Sequence, residues 1–124
     1  MESGKVYNKL VRDRIPEIME RQGVKTLVRH LDDKEFMHAL HDKLQEEMDE
    51  YMHGRNMGEL ADVIEVIRAI IIARGLTLEE IEKLRQAKVQ TNGAFHDRVF
   101  LERVLTEEEA AILKETLDDI NLQY

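Results

Sequence analysis

The sequence predicts an all-α protein, an antiparallel bundle of helices in one domain. Apolar side chains between residues 36 and 52 recur at the three- and four-residue spacing of a single helix face. Residues 60–72 are apolar on nearly every side, which is typical of a helix buried among others. Three helix-capping patterns, at Asp32, Thr77 and Thr106, each place a glutamate three residues later. Together these features favour helices over strands.

The first half of the chain contains one short and one long predicted helix. The short helix begins near Pro16, the chain's only proline, and ends at Gly23. Residues 24–31 alternate weakly between apolar and polar side chains, so we expect an extended segment. The long helix begins at Asp32 and reaches residues 51–58, whose glycines and asparagine are typical of a turn. A second long helix therefore folds back on the first.

The second half of the chain predicts three more elements. The second long helix covers about residues 58–73, and the next begins at Thr77 and ends at the Asn92-Gly93 pair. Residues 95–105 mix apolar and charged side chains, and their pattern indicates no regular structure. Residues 106–124 form a terminal helical extension of a single domain that spans residues 1–124. A bundle this small often needs a partner subunit to bury its apolar faces.

Composition excludes several classes of function. With 35% charged residues and a formal charge of −8, the chain is a poor candidate for binding nucleic acid or anionic membranes. It has no cysteine, so disulfides and thiol chemistry are excluded. The longest apolar run, residues 66–73, contains Arg68 and is too short to span a bilayer. Since the first residues show no signal-peptide pattern, we expect a cytoplasmic protein.

Two pairs of carboxylates predict a metal site. Glu47 and Glu50 are three residues apart, as are Glu59 and Asp62, so each pair projects from one helix face. Glu47 lies inside the apolar arc of its helix, and a short turn brings the two pairs opposite each other. Buried carboxylates are normally paired, protonated or metal-bound. Because few basic residues are nearby in sequence, we expect a divalent cation. Oxygen ligands favour Mg²⁺, with Mn²⁺ as a substitute.

Other charged residues allow two interpretations. Lys9, Arg12 and Arg14 place three cations within six residues of an acidic chain. They are either solvated charges or a clamp for an anionic substrate. A solvated helix face is the simpler interpretation for three further carboxylates: Glu46, Asp49 and Glu65.

Several segments resemble the MazG-like all-α nucleoside triphosphate pyrophosphohydrolases. Glu46-Glu47-x-x-Glu50 followed by Glu59-x-x-Asp62 is similar to the carboxylate signature of that superfamily. Other segments are similar to one branch of this superfamily, the phosphoribosyl-ATP pyrophosphohydrolase-like proteins. These segments are residues 7–16, Lys88, Gly93, Phe95 and residues 98–101. The similarity covers about residues 5–101. The interval between Glu50 and Glu59 is shorter than in many members, which bears on the substrate pocket more than on the metal site.

This resemblance implies a fold, an activity and an assembly. The fold is a MazG-like bundle that assembles as a dimer or a dimer of dimers, with active sites between helices. The activity is Mg²⁺-dependent hydrolysis of a nucleotide between its α and β phosphates, which gives a monophosphate and pyrophosphate and is compatible with a house-cleaning role.

The resemblance also assigns roles to individual residues. Glu47, Glu50, Glu59 and Asp62 would hold the metal. Glu46 would act as an outer-shell or base residue, which makes Glu46 and Glu47 the catalytic candidates. The phosphate-binding candidates are Lys9, Arg12, Arg14, Lys43, Lys88 and Arg98. Lys43 is one turn before Glu47 on the same side of the helix, so it is expected either to pair with that carboxylate or to meet a phosphate.

Two other classes of function remain as alternatives. A di-iron carboxylate protein would use Glu-x-x-His motifs, which occur at Glu35-x-x-His38 and Glu50-x-x-His53. Both motifs lie on one predicted helix, whereas a di-iron site draws them from two. A non-enzymatic helical interaction module would use the carboxylates only as a polar seam. The absence of a Gly-x-x-x-x-Gly-Lys sequence argues against a P-loop mechanism.

Overall fold

The structure of the protein, a computed structural model, describes residues 4–122, and its regular elements there are all helices. Its five α-helices are α1 (Ile15–Arg21), α2 (Asp33–Gly54), α3 (Met57–Ala73), α4 (Leu78–Asn92) and α5 (Glu107–Leu122). No β-strand occurs in residues 4–122, so the all-α prediction is confirmed. The segment predicted to be extended, residues 24–31, is irregular and pairs with no strand. None of the five helices combines the length and apolar character that crossing a bilayer requires.

Side-chain caps fix the predicted helix starts. The Asp32 carboxylate accepts a hydrogen bond from the backbone N–H of Glu35 at 2.8 Å and begins α2. At the start of α4, the Thr77 hydroxyl accepts from the N–H of Glu80 at 3.1 Å, and the Glu80 carboxylate accepts from the N–H of Thr77 at 3.4 Å. Thr106 makes the same reciprocal pair before α5. All three predicted caps are confirmed.

The turn between α2 and α3 is shorter than predicted. It consists of Arg55, with a left-handed φ of 60°, and Asn56, whose side-chain oxygen accepts from the N–H of Glu59 at 2.9 Å. Because the αL residue ends α2 abruptly and the asparagine caps α3 at once, Gly54 and Gly58 are both helical. Since α2 and α3 pack together across only two residues, they form an antiparallel hairpin.

The chain divides into two compact units, one ending at Lys88 and the other beginning at Val89. Within the described part of the first unit, α2 and α3 are the only pair of helices that pack against each other. Leu40 and Val66 are buried in their interface. Ile64 on α3 remains 62% exposed. The expectation that α3 is covered on nearly every side is therefore not met within one chain, because α2 is the only helix in residues 4–122 that packs against it.

The second unit contains the C-terminal part of α4, an irregular segment at residues 93–106 and α5. The sequence pattern predicts neither a helix nor a strand for residues 95–105. The apolar side of α5, including Leu113 and Leu117, is exposed. The predicted C-terminal helix is present, ending at Leu122 in the described residues.

Candidate functional site

Glu47 is the buried carboxylate on α2. Only 7% of the residue is exposed, as its place inside the apolar arc predicts. Its Oε1 atom lies 3.2 Å from Nζ of Lys43, one helical turn earlier. Its Oε2 atom is buried and has no hydrogen-bond partner. One half of this carboxylate is therefore neutralised, and the other half is desolvated without compensation.

Glu46 is held by two lysines. Its Oε1 atom accepts from Nζ of Lys9 at 2.8 Å, and its Oε2 atom lies 3.5 Å from Nζ of Lys43. The hydrogen bond from Lys9 lowers the pKa of Glu46 and raises that of Lys9. Glu46 is thus ionised and only weakly basic in this arrangement. The interpretation of Glu46 as a solvated surface charge is wrong, because it is half-buried and paired with a residue 37 positions away.

The carboxylates of α3 differ from each other in their partners. Asp62 Oδ1 accepts from Nη2 of Arg12 at 2.7 Å, and both side chains are partly exposed. Glu59 Oε2 is buried and, like Glu47 Oε2, has no hydrogen-bond partner. The hairpin therefore contains two orphaned carboxylate oxygens, one on each helix.

Glu50 lies at the exposed end of the α2 cluster. Repulsion by Glu47 is the largest cause of a raised pKa for Glu50, and partial desolvation, a side-chain hydrogen bond shared with Glu47 and the charge of Glu46 act in the same direction. Lys43 opposes the shift. The carboxylates of α2 therefore still repel one another in the presence of Lys9 and Lys43.

The side chains do not form a closed metal cage. Across residues 4–122, no three histidine, aspartate or glutamate side chains are grouped so that they could hold one ion. The sequence-based reason for a cation, that basic partners are scarce, is also wrong. Lys9, Arg12 and Lys43 all pair with carboxylates of the hairpin, the first two from the segment before α1. The four-carboxylate metal site stays a prediction. The observation that agrees with it is the pair of carboxylate oxygens without a hydrogen-bond partner, one on Glu47 and one on Glu59.

The six predicted phosphate-binding residues fall into two groups. Lys9, Arg12 and Lys43 meet at the carboxylates of the hairpin. Arg14 instead lies 3.7 Å from Glu17 on α1. The other two are Lys88, which is exposed on α4, and Arg98, which lies in the second unit with a left-handed φ of 58°.

The di-iron alternative finds no matching arrangement in the described chain. Both Glu-x-x-His motifs lie on α2. Glu35 pairs with Arg29 at 2.9 Å, and the largely exposed His38 lies 3.6 Å from Asp42. These side chains are engaged with other partners, so they do not form the inward-facing ligand set of that class.

Gly54 is a residue of the site that the sequence pattern misplaced. It was expected in the turn, but it is the last residue of α2, and its backbone lies against the carboxylate of Glu59. No sequence pattern marks this contact, because it depends on the left-handed Arg55 and on a turn of two residues.

Comparisons with family models, with curated proteins and with solved structures give no match for this chain.

Proposed function

We propose that this protein is a cytoplasmic Mg²⁺-dependent nucleotide pyrophosphohydrolase. It would cleave the α-β phosphoanhydride of a nucleoside triphosphate or a related nucleotide and release the monophosphate and pyrophosphate. The proposal extends the resemblance to MazG-like enzymes described above. What supports it in the molecule is the charge and burial of the α2–α3 hairpin.

The observation that carries the proposal is the pair of orphaned oxygens, Glu47 Oε2 and Glu59 Oε2. A buried carboxylate oxygen without a partner costs about 1–3 kcal/mol, so two of them on facing helices favour an additional ligand. A cation is the ligand that fits this cluster best, because Glu50 is already repelled by its neighbours. Carboxylate oxygens are ligands that Mg²⁺ accepts, and Mn²⁺ can take its place.

The carboxylates and cations of the site would divide the work. Glu47, Glu50, Glu59 and Asp62 are the residues that would hold the metal. When bound, Mg²⁺ neutralises phosphate oxygens and lowers the pKa of an attacking water molecule.

Lys9 and Arg12 would serve as exchangeable counter-charges. Each now neutralises a carboxylate, at Glu46 and Asp62. Phosphate oxygens attract the same cations, so a bound nucleotide would take them over from the carboxylates. Release of Lys9 would also remove the hydrogen bond that lowers the pKa of Glu46, and a more basic Glu46 is better suited to accept a proton from water. Arg14, Lys88 and Arg98 stay proposed phosphate contacts on the resemblance alone.

A second copy of the chain would complete the helical bundle. The outer side of α3 carries Ile64, Ile67 and Ile72, all exposed. Contiguous apolar surface of this kind is typical of an interface, and the resemblance implies a homodimer or a dimer of dimers. Light scattering of the wild type and of Ile64→Asp tests this, with Glu65→Asp on the next position of α3 as the control. We expect only Ile64→Asp to lower the molar mass.

The activity is tested by a nucleotide screen for pyrophosphate release with Mg²⁺. We expect release from at least one nucleoside triphosphate, loss of release with EDTA, and recovery with Mn²⁺. Phosphate release without pyrophosphate would place the cleavage at another bond. No release from any nucleotide would overturn the proposal.

The non-enzymatic interaction module is the second candidate. Residues 95–105 support it, because Phe95, Val99 and Phe100 are almost fully exposed and present a surface that a partner could cover. This candidate predicts that Glu47→Gln leaves partner binding intact. Mg²⁺-dependent pyrophosphate release that requires Glu47 would exclude it as a complete account.

A further inference from the structure

The end of α2 contains an unusually close approach between a glycine and a carboxylate of the proposed metal site. Gly54 is the last residue of α2, and Glu59 lies in the first turn of α3. A Cβ atom built on Gly54 would be 2.6 Å from Oε1 and 2.8 Å from Cδ of Glu59. Real Cβ atoms do not approach other heavy atoms so closely. The carboxylate therefore occupies the space that any other side chain at position 54 would need.

Backbone conformation does not account for this glycine. Gly54 is helical, and the left-handed residue that ends α2 is Arg55, with φ of 60°. Glycine usually takes the left-handed position itself. Within a helix, glycine is less favourable than alanine by about 1 kcal/mol. An end built only for backbone stability would thus have the opposite order, with glycine at position 55.

The Glu59 carboxylate lies between two helix ends and has no cationic partner. The first turn of α3, to which Glu59 belongs, favours a negative charge, whereas the C-terminal end of α2, against which the carboxylate lies, disfavours one. Its Oε2 atom is buried without a partner. Arg55, the nearest cation in sequence, donates its Nε–H to the carbonyl oxygen of Met52 at 2.8 Å. In the described chain, no lysine, arginine or histidine forms an ion pair with Glu59.

We propose that Gly54 is a positioning residue for the metal site. By lacking a Cβ atom it leaves room between the end of α2 and the start of α3 for the Glu59 carboxylate, one of whose oxygens has no hydrogen-bond partner. A side chain at position 54 would push the carboxylate away from this place. The inference rests on the proposed function, since it assigns Gly54 a role in binding the same metal.

The test compares Mn²⁺ binding by calorimetry, without nucleotide, in the wild type and in Gly54→Ala. We expect the affinity to fall by about tenfold, the loss typical when a group that orients a ligand is changed. The Tm of the metal-free protein should stay the same or rise, because alanine is the better helix former. Gly58→Ala is the matched control, since its Cβ would meet Asn56 Oδ1 at 3.3 Å and not Glu59. It should change the affinity by less than about twofold.

A double-mutant cycle shows whether the effect passes through Glu59. In a Glu59→Gln background, Gly54→Ala should weaken Mn²⁺ binding by less than about twofold, because the ligand that it displaces is already altered. A loss as large as that in the wild-type background would overturn the inference. If Gly54→Ala instead lowers Tm, Glu59→Ala added to it should restore Tm by removing the clash. A failure to restore Tm would also overturn the inference.

The wild type separates failure of this inference from failure of the proposed function. If it binds Mn²⁺ and releases pyrophosphate while Gly54→Ala binds equally well, only the role of Gly54 is overturned. If the wild type neither binds Mn²⁺ nor releases pyrophosphate, the proposed function fails and the role of Gly54 fails with it.

Discussion

Two acidic clusters, one in each compact unit, use their carboxylates in different ways. In the first turn of α5, Glu109 accepts hydrogen bonds on both oxygens from Arg103, six positions earlier, and another from the N–H of Thr106. In the hairpin, Glu47 has one oxygen near Lys43 and one that is buried without a partner. Both clusters are glutamate-rich in sequence. Complete pairing by nearby residues marks Glu109 as structural, and incomplete pairing under burial marks Glu47 as a candidate ligand.

The origin of the cations is a second difference between the clusters. Arg103 is close to Glu109 in sequence and would find it in many folds. Lys9 and Arg12 reach their carboxylates across 37 and 50 positions, which requires the segment before α1 to lie along both helices of the hairpin. Leu10 and Val11, both half-buried, attach this segment. The hairpin site is thus assembled by tertiary structure, and the Glu109 cluster by local structure.

Removing the charge of Glu47 should have the largest effect on the hairpin site. Glu47→Gln keeps the shape of the side chain but removes a proposed metal ligand, so Mg²⁺-dependent hydrolysis should fall by orders of magnitude. The metal-free protein should lose about 1–3 kcal/mol of stability, because Lys43 loses its charged partner. Repulsion among carboxylates alone predicts the opposite sign, and the contact with Lys43 reverses it.

Thermal melts with EDTA and with Mg²⁺ measure both effects of Glu47→Gln. Glu65→Gln, an exposed glutamate of α3, is the control and should behave as the wild type. If Glu47→Gln is destabilised yet retains the Mg²⁺-induced shift and normal turnover, Glu47 is a structural partner of Lys43 and not a metal ligand.

Removing Arg12 tests whether the long-range cations exchange between carboxylate and phosphate. Arg12→Ala should raise the KM for nucleotide. It should also increase Mg²⁺ affinity without nucleotide, because Asp62 loses a competing cation 2.7 Å away. A partly exposed ion pair contributes about 0.2–1 kcal/mol, so the increase should be at most about fivefold.

The control for Arg12→Ala is Arg21→Ala, which removes an exposed arginine whose partner is Glu17 on α1. Arg21→Ala should change neither the KM for nucleotide nor the Mg²⁺ affinity. From the sequence alone, Mg²⁺ affinity is expected to be unaffected by Arg12→Ala, so calorimetry with Mg²⁺ distinguishes the sequence-based expectation from the structure-based one. An unchanged KM would mean that Arg12 does not contact a phosphate and is a solvated charge.

Local signals were readable from the sequence, and long-range ones were not. The caps at Asp32 and Thr77 were found because a cap and its partner are three residues apart. The burial of Glu47 followed from its position in a helical repeat. The pairing of Lys9 with Glu46 depends on where an irregular segment lies, and no periodic pattern encodes that. The contact of Gly54 with Glu59 depends on a turn that is two residues long, where the sequence indicated a longer one.

The smallest predicted effect is the change in stability with pH that the Glu109 cluster causes. The hydrogen bonds from Arg103, and then from Thr106, lower the pKa of Glu109 from 4.5 to about 2. Its ionised form is favoured by folding, so its contribution to stability is present above its unfolded pKa and is lost as the pH falls from about 4.5 toward 2. For Glu50, the effect of acid on the stability of the fold has the opposite sign. Its raised pKa means that acid relieves its repulsion by Glu47, which stabilises the fold as the pH falls.

Arg103→Met should therefore raise the pKa of Glu109 toward 4.5 and flatten the loss of stability on the acid side, with Mg²⁺ affinity unchanged. An NMR titration of the Glu109 carboxyl carbon measures the pKa directly, and Arg85→Met, which removes the local partner of Glu82 on α4, is a control that should leave Glu109 as it is. A Glu109 pKa that stays near 2 would mean that the cap at Thr106 sets it without help from Arg103. A change in Mg²⁺ affinity would contradict the distinction between the two clusters, because a locally satisfied carboxylate has no unpaired oxygen to offer a cation.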